Sequence, residues 1–192
     1  MTLPNTPVKN TLLAFTSSYI ENYQLTHQHL PSVEADTDWI SPCEKGQVND
    51  HEIYWQPVVI EDELNFDNVG KALGLTIHQD IQDYFTCIYS ESLDAESKDG
   101  NLSLLLPWNK DDFERLQQNL IGHIMMKQKL KQNVTLFFAV TDEDDMIISL
   151  DNESGEVWVE QVGCVPHKKL ANNLVEFLES LTPIANSLNE DV

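Results

Sequence analysis

Residues 134–140 read VTLFFAV, apolar at every position except Thr135. The run is too short to span a bilayer, and its apolarity suits a strand buried on both faces at the centre of a sheet. The segments after it set the topology: 146–150 and 157–162 have strand character, and the turn Asp151-Asn152-Glu153-Ser154-Gly155 between them carries the glycine a hairpin loop favours. Just upstream, Phe113, Leu116, Leu120 and Ile124 recur at helical spacing over about 110–131. Asn109 suits the N-cap of this helix, Asp111 and Asp112 its positive end, and Lys127, Lys129 and Lys131 its negative end. Gly122 inside the helix costs about 1 kcal/mol relative to alanine, which suggests close backbone packing there.

The remainder fits around this unit. A helix over about 7–27 is capped by Thr6, begins at Pro7 and shows an apolar stripe of Val8, Leu12, Phe15, Tyr19 and Tyr23. Residues 31–50 read as an irregular connection carrying Trp39, and 53–60 as a strand that Pro57 places at an edge or bulge. Short helices are expected at 66–73, stopped by Gly74, and at 78–84. Strands are expected at 85–93 and 102–106, separated by a turn at 95–100. A closing helix runs through Leu170, Leu174, Phe177, Leu178 and Leu181 to Pro183, with a frayed tail at 184–192. The fold class is α/β of the α+β type: a mixed, largely antiparallel sheet packed by helices, in one domain over 1–192.

Charge narrows the function. With 32 Asp and Glu against 11 Lys and Arg, the formal net charge is -21. Such a chain repels phosphate backbones, so nucleic acid is disfavoured as a partner. Solubility alone accounts for the acidity as well as partner binding does. Cys43, Cys87 and Cys164 are odd in number and widely spaced, so neither a disulfide framework nor a metal motif can be built from them. The first ten residues lack the pattern of a signal peptide, and a reducing cytoplasmic location is expected.

Catalytic motifs do not stand out. His27 and His29 would diverge on a helix, and His51, His78, His123 and His167 show no ligand spacing with the cysteines. A satisfied, half-buried role explains His123 better than catalysis. The run Asp142-Glu143-Asp144-Asp145 lacks the spacing and glycine of a calcium loop and reads as a solvated turn. No enzyme, metal, cofactor or small-molecule substrate is expected.

Several ordered stretches carry a resemblance. They are Tyr54-Trp55-Gln56-Pro57, Asn119-Leu120-Ile121-Gly122-His123, Lys127-Gln128-Lys129-Leu130-Lys131 and Thr135-Leu136-Phe137. Ile148-Ser149-Leu150-Asp151-Asn152, Ser154-Gly155-Glu156-Val157, Leu170-Ala171-Asn172-Asn173-Leu174 and Glu176-Phe177-Leu178 continue the set. With these stretches in this order, the sequence resembles the Syd family, SecY-interacting proteins of gammaproteobacteria. The resemblance implies an α/β fold related to the immunity-protein (SUKH-like) superfamily and a peripheral place on the cytoplasmic side of the inner membrane. It implies binding to cytosolic loops of SecY, with a role in checking Sec translocase assembly, through an acidic concave groove. The alternative is an immunity-type inhibitor that sequesters a basic toxin.

Cytoplasmic loops of membrane proteins are rich in Lys and Arg, whereas the lipid surface on that side is anionic. Membrane association is therefore expected through the protein partner and not through lipid. The acidic wall is expected from Glu61, Asp62 and Glu63, then Asp80 and Asp83, then Asp111 and Asp112, the last two serving equally well as helix caps. Trp39, Trp55 and Trp108 are candidate aromatic anchors, against the alternative of core side chains.

Overall fold

The computed structural model describes residues 6–185. Helix α1 (Pro7–His27) starts as the sequence indicates: Thr6 accepts a hydrogen bond from the Lys9 amide and Pro7 occupies the first turn. Residues 31–50, expected to be irregular, instead contribute β1 (Ser32–Glu34) and β2 (Glu44–Gln47), which flank β3 (Glu52–Trp55) in a small antiparallel sheet. Strand β2 is polar and mostly exposed, so it carries no alternating signal to read. The expected strand over 53–60 is divided at Gln56-Pro57, because β4 (Val58–Val59) leaves β3 and pairs with β5 (Ile88–Tyr89) in a separate ribbon.

Helix α2 (Asp67–Leu73) ends at Gly74 in the left-handed conformation, and α3 (Gln79–Phe85) runs into the region expected to be strand. Strands β6 (Leu93–Ser97) and β7 (Gly100–Leu104) form a hairpin that tightens the expected 95–100 turn to Lys98 and Asp99. The long helix is α4 (Lys110–Lys129), capped by Asn109, which accepts from the Asp112 amide. It leads into β8 (Thr135–Thr141), β9 (Met146–Asp151) and β10 (Val157–Gln161). The expected closing helix is shorter, because Lys168–Ala171 is strand β11 and Asn173 caps α5 (Leu174–Glu179) through the Glu176 amide. After it, β12 (Thr182–Pro183) pairs with β6 at the sheet edge, where a proline removes no ladder bond. Of the tail expected to fray, residues 186–192 lie outside the described segment.

Seven strands pair in the order β11-β10-β9-β8-β7-β6-β12, every pair antiparallel, with β8 central as its apolarity requires. Directly paired residues share a face. Asp94, Ser103, Val140, Ile147 and Glu160 form a row on the face that α4 covers. Leu93, Leu104, Ala139, Ile148, Val159 and Lys168 form a row on the other. Phe137 meets His123 beneath α4, while Phe138 packs edge-on against Tyr84 of α3 and Phe177 of α5. A bulge between Phe137 and Ala139 adapts the ladder there.

Two glycines differ in role. At Gly122 a methyl group would enter open space, so the expected close packing is not found and the residue is a solvent-facing helical glycine. Gly155 has φ +77° and a methyl there would lie 2.8 Å from Nε2 of His78. Gly122→Ala should therefore raise unfolding free energy by about 0.5–1 kcal/mol. Gly155→Ala should lower it by about 1–3 kcal/mol, both read from urea midpoints at constant slope.

Candidate functional site

Two clusters of polar chemistry flank the large sheet. Beneath α4, Lys127 is fully buried and its Nζ lies 2.5 Å from Oε2 of Glu160, itself fully buried on β10. Lys127 also donates to the Cys164 carbonyl at 2.8 Å. Thr135 donates to Oε1 of Glu160 at 2.6 Å, and His123 Nε2 lies 3.0 Å from the Thr135 hydroxyl. Lys127, read from the sequence only as a complement to the negative end of the helix, is thus an interior residue. His123 is buried and hydrogen-bonded, in line with the structural role expected for it.

Burial raises the pKa of Glu160, but hydrogen bonds from His123, Lys127 and Thr135 outweigh it and hold the carboxyl below its ordinary value. A histidine, a hydroxyl and a carboxylate are the components of a nucleophilic triad. Here the hydroxyl gives its proton to the carboxylate, and a helix seals it from solvent, so no substrate atom can reach it. The cluster is structural. It joins α4 to β10 and, with Gln132 donating to the Gly163 carbonyl, to the loop that precedes β11.

The second cluster is open. At one end of the opposite face, Leu102, Ile148, Val159 and Leu170 line a cleft of about 190 Å³. Asp99 from the β6–β7 turn and Asp142 and Glu143 from the β8–β9 turn supply its carboxylates, and His167 and Lys168 its basic side. Asp142 and Glu143 are exposed, as expected of a turn, but the turn also borders the cleft. Lys168 Nζ and Asp99 Oδ1 meet at 2.7 Å.

The carboxylates singled out in the sequence come from three elements: the segment after β4, helix α3 and the start of α4. Glu61, Asp62 and Glu63 are exposed after β4. Asp62 accepts from the Tyr89 hydroxyl at 2.8 Å, and burial together with this contact pushes the phenol pKa up. Glu63 borders a separate hollow with Lys110, Glu114 and Gln117 of α4. Asp80 lies in the first turn of α3, and Asp83 is buried and accepts from Gln79 at 2.9 Å. Asp111 is exposed, whereas Asp112 closes the start of α4 by accepting from the Trp108 amide and pairing with Arg115. Trp55 and Trp108 are core side chains whose rings meet edge-on, 6.3 Å apart. Trp39 is half-buried beneath the Arg115 guanidinium, 5.1 Å from its ring centre.

His27 and His29 do not diverge, because α1 ends at His27 and the left-handed Gln28 turns the chain, leaving the rings 5.9 Å apart. Burial pushes the thiols of Cys43 and Cys87 up to about 11, which makes them poor nucleophiles. Among the described residues, no group of three or more His, Cys, Asp or Glu side chains could hold a metal ion. Nor is any helix there long and apolar enough to cross a membrane.

These features define a class: an α+β protein on a curled antiparallel sheet, with a sealed ionic cluster on one face and an acidic cleft on the other. Residues 9–183 match the family model described as Syd protein (SUKH-2). A Protein Syd of Colwellia psychrerythraea strain 34H is 54% identical over 191 residues, covering 95% of this chain and 96% of its own. Those of Alteromonas mediterranea and Aliivibrio fischeri strain MJ11 are 47% and 37% identical, over 88% and 92% of this chain and 93% and 96% of theirs. The chain belongs to the Syd family.

Because the folded pKa of Glu160 is depressed, its ionised form adds stability above the ordinary carboxylate range, lost as pH falls through the folded value. Glu160→Gln strands a buried ammonium and should cost about 3–5 kcal/mol in urea unfolding at neutral pH. Adding Lys127→Met should recover most of that loss. In acid the gap between the native chain and the single variant should narrow.

Proposed function

We propose that this protein binds basic cytoplasmic loops of the SecY channel through the acidic cleft of its curled sheet, as a peripheral protein of the cytoplasmic membrane face that checks Sec translocase assembly. The observation that carries this is the cleft, where Asp99, Asp142 and Glu143 border an apolar lining in a chain of net charge -21. Lys- and Arg-rich cytosolic loops are complementary to it, and anionic lipid is not.

Magnitudes set the division of labour. An exposed ion pair contributes about 0–1 kcal/mol, whereas micromolar affinity needs about 8 kcal/mol. Scattered carboxylates therefore speed the encounter, and a concave site that focuses the field and offers apolar contact does the holding. We place Glu61, Asp62 and Glu63, with Asp80 and Asp111, in the steering field. Asp83 and Asp112 are taken up by hydrogen bonds within the fold and contribute less, and of the three tryptophan candidates Trp39 alone is partly exposed.

The test is capture of SecY from solubilised membranes by the immobilised chain, at low and high salt. Capture should occur at low salt and fade at high salt. Asp142→Lys with Glu143→Lys should reduce it more than tenfold, and Glu61→Lys with Glu63→Lys should mainly slow association. Undiminished capture by the Asp142 and Glu143 variant would remove the cleft from the site. Equal capture of lipid vesicles lacking SecY would overturn the partner-mediated model.

A further inference from the structure

The cleft already holds a cation. Strand β11 is separated from β7 by β10, β9 and β8, four inter-strand steps of about 4.8 Å, or roughly 19 Å along the sheet. An extended lysine and an aspartate fall well short of that span. Yet Nζ of Lys168 at the start of β11 lies 2.7 Å from Oδ1 of Asp99 in the β6–β7 turn. The sheet therefore curls until the start of β11 and the β6–β7 turn meet, and the ion pair crosses the cleft that both residues line.

The two partners are unequally exposed. The Lys168 side chain keeps 51% of its accessible surface and Asp99 21%. The ammonium is the solvent-facing, replaceable member, and the carboxylate is the recessed one. Lys168 is also held from behind. The loop that delivers it is anchored through the Cys164 carbonyl to Lys127 and through the Gly163 carbonyl to Gln132, on the far face of the sheet. A buried network thus fixes the base of a mobile side-chain type over an acidic cleft.

We propose that Lys168 is a tethered stand-in for the partner's cation, holding the cleft in a partly neutralised state from which an incoming basic segment must displace it. This rests on the cleft being the docking site. The internal cation raises the threshold for binding, so that a lone basic side chain competes poorly while a segment with several cations outcompetes it. Weak, singly charged ligands are rejected by the same contact.

The test uses the full chain and a labelled oligo-arginine peptide, with binding read by fluorescence anisotropy in low-salt buffer. Lys168→Met should bind about 3- to 5-fold tighter than the native chain, the upper part of what one exposed ion pair supplies. Lys45→Met, which removes a charge from exposed β2, gives the change due to net charge alone, and Lys168→Met should exceed it. Lys168→Gln should tighten binding similarly, and thermal melts should show all variants folded. Asp142→Asn with Glu143→Gln should weaken binding. If it does so while Lys168→Met is no tighter than Lys45→Met, the tethered-cation proposal is overturned and the docking cleft stands. If that carboxylate variant binds as the native chain does, the docking site itself is wrong and the proposal falls with it.

Discussion

The curl of the seven-stranded sheet is the constraint on which the other features depend. Strands of L-residues twist, and in an antiparallel sheet of this width the rotation accumulates across every step. One face carries α4, and the other is partly filled by Tyr84 of α3 and Phe177 of α5 packing on Phe138. At the other end of that face, the turns after β6 and β8 and the start of β11 draw together around Leu102, Ile148 and Val159. A flat sheet with the same strand order would leave those turns apart and form no cleft.

Charge is used in two opposite ways on the two faces. Beneath α4 a single ammonium faces a single carboxylate in the dry interior, and the pair is tolerable only because the remaining lone pairs and protons find partners in Thr135, His123 and the Cys164 carbonyl. A hydrophobic pair of equal volume would stabilise as well, so the gain is in specificity: one rotation of α4 and one path for the loop after β10 satisfy the network. On the open face, carboxylates stand in water with one lysine among them. Their interaction is screened and replaceable, which suits recognition better than cohesion.

Net charge of -21 and a cleft are separate physical statements. The first acts over a Debye length and governs which surfaces this protein approaches at all. The second acts at contact distance and decides which of them it retains. Distributing the acidic residues widely, as with Glu61 to Glu63 and the start of α4, costs little stability because most remain solvated or serve as caps.

Much of the framework was legible residue by residue. Helices α1 and α4 follow from caps and apolar spacing, and β8, β9 and β10 from an apolar run and a glycine-bearing turn, because these signals are local. Strands β2 and β11 were not legible because they are short and largely polar, and β12 was not because its partner β6 lies far away in the chain. The same distinction governs the sites. Lys127 reads as a helix-end lysine until Glu160, 33 residues later, is brought beneath it. Asp142 and Glu143 read as a solvated turn until Asp99 and Lys168 arrive from other strands. By itself the sequence determined the family, the core strands and helices, and the acidity that selects a class of partner. Only the tertiary structure decided which charges are sealed in and which line a cleft, because burial and field depend on what the curled sheet brings together across the chain.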